Sequence, residues 1–170
     1  MSMDIESPVH QIDLKELVLS NGSFGPHEIE QIRSTIASDY AQFSVLRDLA
    51  GELEATEERS PATSVRLGVG LFLLGRYHRA CEVLSNADGG AVSHYYRGKS
   101  LFYLEKYSEA VEAYEQAKRA GYDSGFCDGA IAEAKRYNKE PEDALKILDE
   151  LYGPIEQTAE YLYQRAATVA

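Results

Sequence analysis

Gly98, Lys99 and Ser100 come closer than any other residues of this chain to a reactive constellation. Glycine followed by lysine and serine closes the loop that wraps nucleotide phosphates: backbone N–H groups cradle the anion, the lysine reaches the outer phosphates and the hydroxyl holds magnesium. That loop needs another glycine at position 93, and Ser93 stands there. It also needs a strand before it to aim the N–H groups, whereas His94 to Ala117 carries an unbroken helical pattern of aromatic, aliphatic and small residues. Nucleotide binding is therefore not expected, and Lys99 is expected on the surface of a helix.

The remaining chemistry-bearing residues are dispersed. His10, His27, His78 and His94 are far apart, and none is at metal-ligand spacing with a second ligand type on one face. Ser100 and Ser108 have no nearby histidine to act as base. Glu112 and Glu115 read as a solvated helix surface. Cys81 and Cys127 belong to no C-x-x-C pair, so two buried thiols in a reducing compartment are expected in place of zinc or a redox couple. With no nucleophile, base or metal cage, the reading is a non-catalytic protein without metal or cofactor.

Charge narrows the partners. Lys and Arg number 17 against 28 Asp and Glu, a formal charge of −11, and the acids are spread through helical segments. Such a surface repels phosphate backbones and anionic lipid, so neither nucleic acid nor a membrane is expected as partner. The opening "MSMDIESPVHQIDLKEL" has acids where a signal peptide needs an apolar core, and no stretch approaches membrane-spanning length. A cytoplasmic location is expected, and the sequon at Asn21-Gly22-Ser23 is read as a turn.

The positioning elements are helices. "DLKELVLS" stops at Asn21-Gly22, and Pro26 opens a helix that places Ile29, Ile32 and Ile36 on one face. A further helix over Asp39 to Glu58 has Tyr40, Phe43, Leu46, Leu49 and Leu53 as its apolar stripe. Ser60-Pro61 caps and opens the next. Beyond it the chain repeats. Leu71, Leu74, Tyr77, Ala80, Leu84 and Ala87 recur thirty positions later as Leu101, Leu104, Tyr107, Ala110, Tyr114 and Ala117. A further shift of 34 brings Ala144, Leu148 and Leu151 into the same phase. Each unit reads as helix, turn, helix, with "GRYHRA", "EKYSEA" and "KEPEDA" as the turns. Gly68, Gly98 and Ala132 are expected to pack against Ala80, Ala110 and Ala144, letting two backbones approach closely.

Leu67-Gly68-x-x-Leu71 with Ala80, Leu84 and Ala87 resembles the pattern of tetratricopeptide repeats. Departures include the absence of tryptophan, Arg97 in place of leucine, Asp128 and Lys135 in the third unit, and four linker residues missing near Asp88-Gly89-Gly90. The resemblance implies an all-α, right-handed solenoid of antiparallel helix hairpins with additional N-terminal helices. Residues 1–60 are expected as an N-terminal helical segment, and 61–170 as three repeats plus the first helix of a fourth, "AEYLYQRAATVA". That last helix lacks a polar end, which fits an array cut from a longer one. His94 falls where the family places a large packing residue, so a structural role is expected.

In such a stack the first helices line a concave face. The resemblance places Val65, Val69, Phe72 and Leu73 there in the first unit. Val92, Tyr95, Lys99, Phe102 and Tyr103 follow in the second, and Phe126, Glu133, Arg136 and Tyr137 in the third. "VRLGVGLFLL" is apolar nearly all round, so a second face is covered: by neighbouring helices, by the N-terminal segment folding back, or by a partner. Val65, Val69, Tyr96, Phe126 and Ala130 stand where chaperone-tail binders of the family need lysine, arginine and asparagine, which argues against acidic-tail capture. The expected role is an interaction scaffold for an apolar peptide or helix with basic residues. A self-assembling homo-oligomer and the regulatory segment of a longer enzyme are the alternatives.

Overall fold

A computed structural model describes residues 12–152 and 159–169. His10 and the close of the third unit near Thr158 lie outside them. Among the described residues there are ten helices and no strand: α1 Leu14–Leu19, α2 Pro26–Ser38, α3 Tyr40–Ala55, α4 Pro61–Leu73, α5 Tyr77–Ser85, α6 Ala91–Tyr103, α7 Tyr107–Arg119, α8 Ser124–Tyr137, α9 Pro141–Tyr152 and α10 Ala159–Val169.

Helix starts are written locally. Side chains at Asp13, Asp39, Ser60 and Asp123 accept from backbone N–H groups of the first turns of α1, α3, α4 and α8. Gly25 N donates to Glu28 Oε2 at 2.8 Å, which holds that carboxyl below its usual range, and Pro26, Pro61 and Pro141 take first helical positions.

The hairpin turns share one geometry. Arg76 N, Lys106 N and Glu140 N each donate to the carbonyl five residues back, Leu71, Leu101 and Lys135, all at 2.9 Å. The residue before each is left-handed: Gly75 at φ 77°, Glu105 at 61° and Lys139 at 63°. The turns are therefore three residues long, and the expected "GRYHRA", "EKYSEA" and "KEPEDA" place them too far along. Tyr77, Tyr107 and Pro141 already begin the second helices, because nothing in those segments opposes helix once the left-handed residue has reversed the chain.

Successive helices from α3 to α10 pack on one another, and α4, α6 and α8 also touch directly, forming an inner layer. Ala80, Ala110 and Ala144 are completely buried. Ala132 and Ala144 share one core with Leu148, and a larger side chain presses on Gly68 and on Gly98 too. A Cβ on Gly68 would come within 2.4 Å of Leu84, and one on Gly98 within 2.7 Å of the Tyr114 ring. In an antiparallel hairpin folded about position 75, residue 68 lies level with 82, and a side chain two positions on leans back over that height. The same count about position 105 brings Tyr114 over Gly98.

The missing four residues also fall elsewhere than expected. The α5–α6 connection, 86–90, is no shorter than the α7–α8 connection, 120–123; α5 itself has 9 residues where α7 has 13.

At the N-terminal end, Leu14, Val18, Ile32, Leu46, Leu49 and Leu53 share one core with Leu67, Leu71, Ala80 and Leu84, so apolar packing runs uninterrupted across residue 60. Tyr40 was expected in that stripe and is 84% exposed: it opens α3 ahead of the neighbouring helices and stacks only on Phe43.

Candidate functional site

The inner helices end in a repeated aromatic joint. Phe72 at the end of α4 lies 5.7 Å from Tyr77, which opens α5, and Tyr77 stacks at 4.8 Å on Tyr103 at the end of α6. One unit on, Phe102 lies 5.4 Å from Tyr107, and Tyr107 stacks at 5.7 Å on Tyr137 at the end of α8. Each trio ties the elbow of one hairpin to the first helix of the next, using offset and edge contacts worth about 0.5–1.5 kcal/mol each beyond burial. In the third unit Arg136 and Pro141 occupy the corresponding places, so the joint is made twice and then stops. Arg136 lies 4.5 Å over the Tyr137 ring, with its Nε buried and unpartnered.

Beside the first joint is a cleft of about 340 Å³. Its floor and one wall are Phe72 and Leu73 of α4, Tyr95, Tyr96 and Lys99 of α6, Tyr122 of the α7–α8 loop and Phe126 of α8; Pro26, Glu30 and Arg33 of α2 form the opposite wall. Tyr95 is buried and stacks on Tyr122 at 4.1 Å and 9°. Burial pushes the phenols of Tyr95 and Tyr122 well above their ordinary range and that of Tyr96 up to about 12, so all three stay neutral at physiological pH. Phe126 is 65% exposed and Tyr103, just beyond the cleft, 54%.

The expected concave residues divide three ways. Phe72, Tyr95, Lys99 and Phe126 meet in the cleft. Tyr103 completes the first aromatic joint, Phe102 belongs to the second, and Arg136 lies over the Tyr137 ring of that second joint. Val65 and Val69 open onto neither, being buried against Ile29 of α2 with Phe24 and Tyr96 packed around them. The apolar run of α4 is thus covered from within the chain. Arg66 secures that cover: it donates to the Gly22 carbonyl and lies 5.1 Å over the Phe24 ring, and burial lowers its pKa.

Lys99, expected on the surface, is half-buried with Nζ 5.6 Å from the Tyr95 centroid. Burial depresses its pKa, partly opposed by Glu133. Glu30 is committed to Arg33 at 2.6 Å. The overall charge of −11 therefore does not describe the cleft. Its α2 wall was foreseen as one of three possible covers, the N-terminal segment folding back, whereas Tyr122 was not foreseen. Tyr122 had a signal: it lies just past the helix turn that α7 has and α5 lacks.

No group of three His, Cys, Asp or Glu among the described residues could hold a metal ion. Burial pushes the Cys127 thiol up to about 11 and raises that of Cys81, which favours the protonated form of both. Burial lowers the pKa of half-buried His94, the largest influence on it. No helix among the described residues is long and apolar enough to cross a membrane.

Residues 48–117, from within α3 to α7, match the family model described as Anaphase-promoting complex, cyclosome, subunit 3, a family that contains tetratricopeptide repeats. Over these residues the hairpins are of the tetratricopeptide type. No curated protein and no solved structure matches the chain. The matched stretch takes in the first aromatic joint and the α4 and α6 side of the cleft, while Phe126 and the α2 wall lie outside it.

Proposed function

We propose that this chain is a non-catalytic interaction module that docks an apolar peptide or helix of another protein in the aromatic cleft between α2 and the inner helices. One observation carries the reading: most rings of the inner layer are spent on intramolecular stacking, yet Phe126 stands 65% exposed in a ring-lined cleft, and Tyr103, though stacked on Tyr77, is still 54% exposed just beyond it. Exposed aromatics beside a concave apolar floor are favourable anchors for a partner side chain. The matched family is described as a subunit of a larger complex, which supports a role in protein association. The acidic exterior favours basic residues on the flanks of the docked segment. Residues 1–60 act as a cap whose α2 shapes one wall, and 61–170 form three units plus the first helix of a fourth. Two free thiols suit a reducing, cytoplasmic setting.

Capture of partners by the intact protein, repeated with Phe126→Ala and with Tyr103→Ala, tests this. Each change is expected to weaken capture at least several-fold; Phe126→Ala leaves the melting temperature unchanged, whereas Tyr103→Ala also lowers it by removing the stack on Tyr77, so thermal melts of both variants accompany the capture. Undiminished capture by both variants would place the docking surface elsewhere.

Self-assembly is the second reading, favoured by α10, where Leu162, Tyr163 and Val169 are all exposed. Light scattering over a concentration series decides it. A monomer at high concentration removes it.

A further inference from the structure

We infer that Lys99 is the specificity-determining residue of the cleft, and that the segment it selects carries an internal Asp or Glu side chain next to its apolar anchor. This rests on the reading of the cleft as a polypeptide-docking surface. The unusual feature is where this cation finds itself. Better-exposed lysines have carboxylates in reach: Lys118 holds Asp128 at 2.8 Å, and Lys146 lies 3.6 Å from Asp143. Lys99 is half-buried and, among the described residues, has only the face of Tyr95. A ring face steadies the charge but gives the three N–H donors of the ammonium no hydrogen-bond acceptor, and among the described residues no protein group supplies one.

The nearby acids do not supply them. Glu30 across the cleft is held by Arg33, and Glu133 on α8 acts on Lys99 only from beyond ion-pair distance. A partly desolvated cation without a counter-charge gains most from a ligand that brings one. A neutral amide at the same place would accept a hydrogen bond without charge; a lysine or arginine would be repelled.

The carboxylate is a side chain and not a chain end, because exposed ring surface continues on both sides of Lys99, towards Phe126 in one direction and past Phe72 to Tyr103 in the other. A segment lying on both has residues before and after its acid. The occupant is a polypeptide and not a small anion, since a cleft lined by Phe72, Tyr95, Tyr96 and Tyr122 offers a lone anion little besides Lys99. The net charge of −11 limits the acids to one or two, with neutral or basic neighbours.

The test is a random dodecapeptide library displayed on phage and selected on the immobilised full chain, in parallel with Lys99→Met and Lys99→Arg. Methionine keeps the apolar stem against Tyr95 and removes the charge, and thermal melts establish that each variant folds as the parent does. Peptides selected by the parent are expected to share an internal Asp or Glu close to an aromatic or large aliphatic residue. Lys99→Arg retains that preference and Lys99→Met loses it while keeping the apolar residue. For the best peptide, measured by fluorescence anisotropy, Glu→Gln (or Asp→Asn) in the peptide and Lys99→Met in the protein each weaken binding about tenfold, with little further loss together. A parent selection without the acid, or one that Lys99→Met leaves unchanged, overturns the role of Lys99. Selected peptides that bind equally to Phe126→Ala and Tyr103→Ala overturn instead the cleft reading beneath it. A concentration-dependent dimer abolished by Phe126→Ala would make a second copy the occupant and would also overturn the inference.

Discussion

The second and third hairpins share a turn geometry and a buried alanine, yet they are fastened to their surroundings by different physics. At the second, Tyr107 opens α7 and stacks between Phe102 and Tyr137. At the third, Pro141 opens α9, and the elbow is held by Lys135 with Glu140 at 3.1 Å and Asp143 at 3.7 Å, while Arg165 of α10 pairs with Asp149 of α9. Ring stacking is insensitive to salt and directional, whereas half-exposed ion pairs contribute from nothing to about 1 kcal/mol and are screened. The stiff joints lie beside the cleft, so a site that depends on the spacing of rings is built where spacing is best defined.

That contrast can be broken most severely at the glycine. Ala132 is accommodated opposite Leu148 in the third hairpin, but Gly98→Ala would drive a methyl against the buried Tyr114 ring. Urea unfolding should show a loss of about 2–3 kcal/mol, in the range for overpacking. A loss below that of an ordinary helix-surface change would mean that the ring can move aside and that the hairpin is not closely nested.

The next effect concerns the joint itself. Tyr107→Ala should cost about 1–2 kcal/mol and should also raise amide exchange in α8, whose Tyr137 it holds. Pro141→Ala, at the corresponding place one unit on, should stay within about 0.5 kcal/mol. Equal costs would abolish the distinction between the two hairpins.

The smallest effect sharpens what the hairpins share. Gly75, Glu105 and Lys139 occupy one left-handed position, and only the first suits it without steric cost. Glu105→Gly and Lys139→Gly should each stabilise by about 0.5–1 kcal/mol in thermal unfolding, with little change to either neighbouring joint. Destabilisation by both would show that their side chains contribute more than the backbone strain removes.

Much of this architecture could be read from residue order. The fixed offset of Tyr77, Ala80 and Leu84 from Tyr107, Ala110 and Tyr114 gave the hairpin register, and caps such as Ser60-Pro61 gave helix starts. Periodicity reports which face of a helix is buried, and that is why the buried alanines were found. It says less about height along the axis, so Leu84 and Tyr114 were not picked out as the side chains nearest to Gly68 and Gly98. Nor does it say which element covers a face. Val65 and Val69 have the right phase for the inner surface, but Ile29 reaches them first, and that depends on how a loop pinned by Arg66 aims α2. Lys99 was legible as an inner-face residue and illegible as an unpaired charge, because its counter-ions are absent through the commitments of Glu30 elsewhere in the chain.

The shortened α5 carries one more lesson. Four residues amount to slightly more than a complete revolution of α-helix, so their removal hardly rotates the face that the remaining nine present to the layer beneath. Length variation in this scaffold is quantised: whole revolutions can be dropped from an outer helix, whereas loss of two residues would swing its apolar side towards solvent.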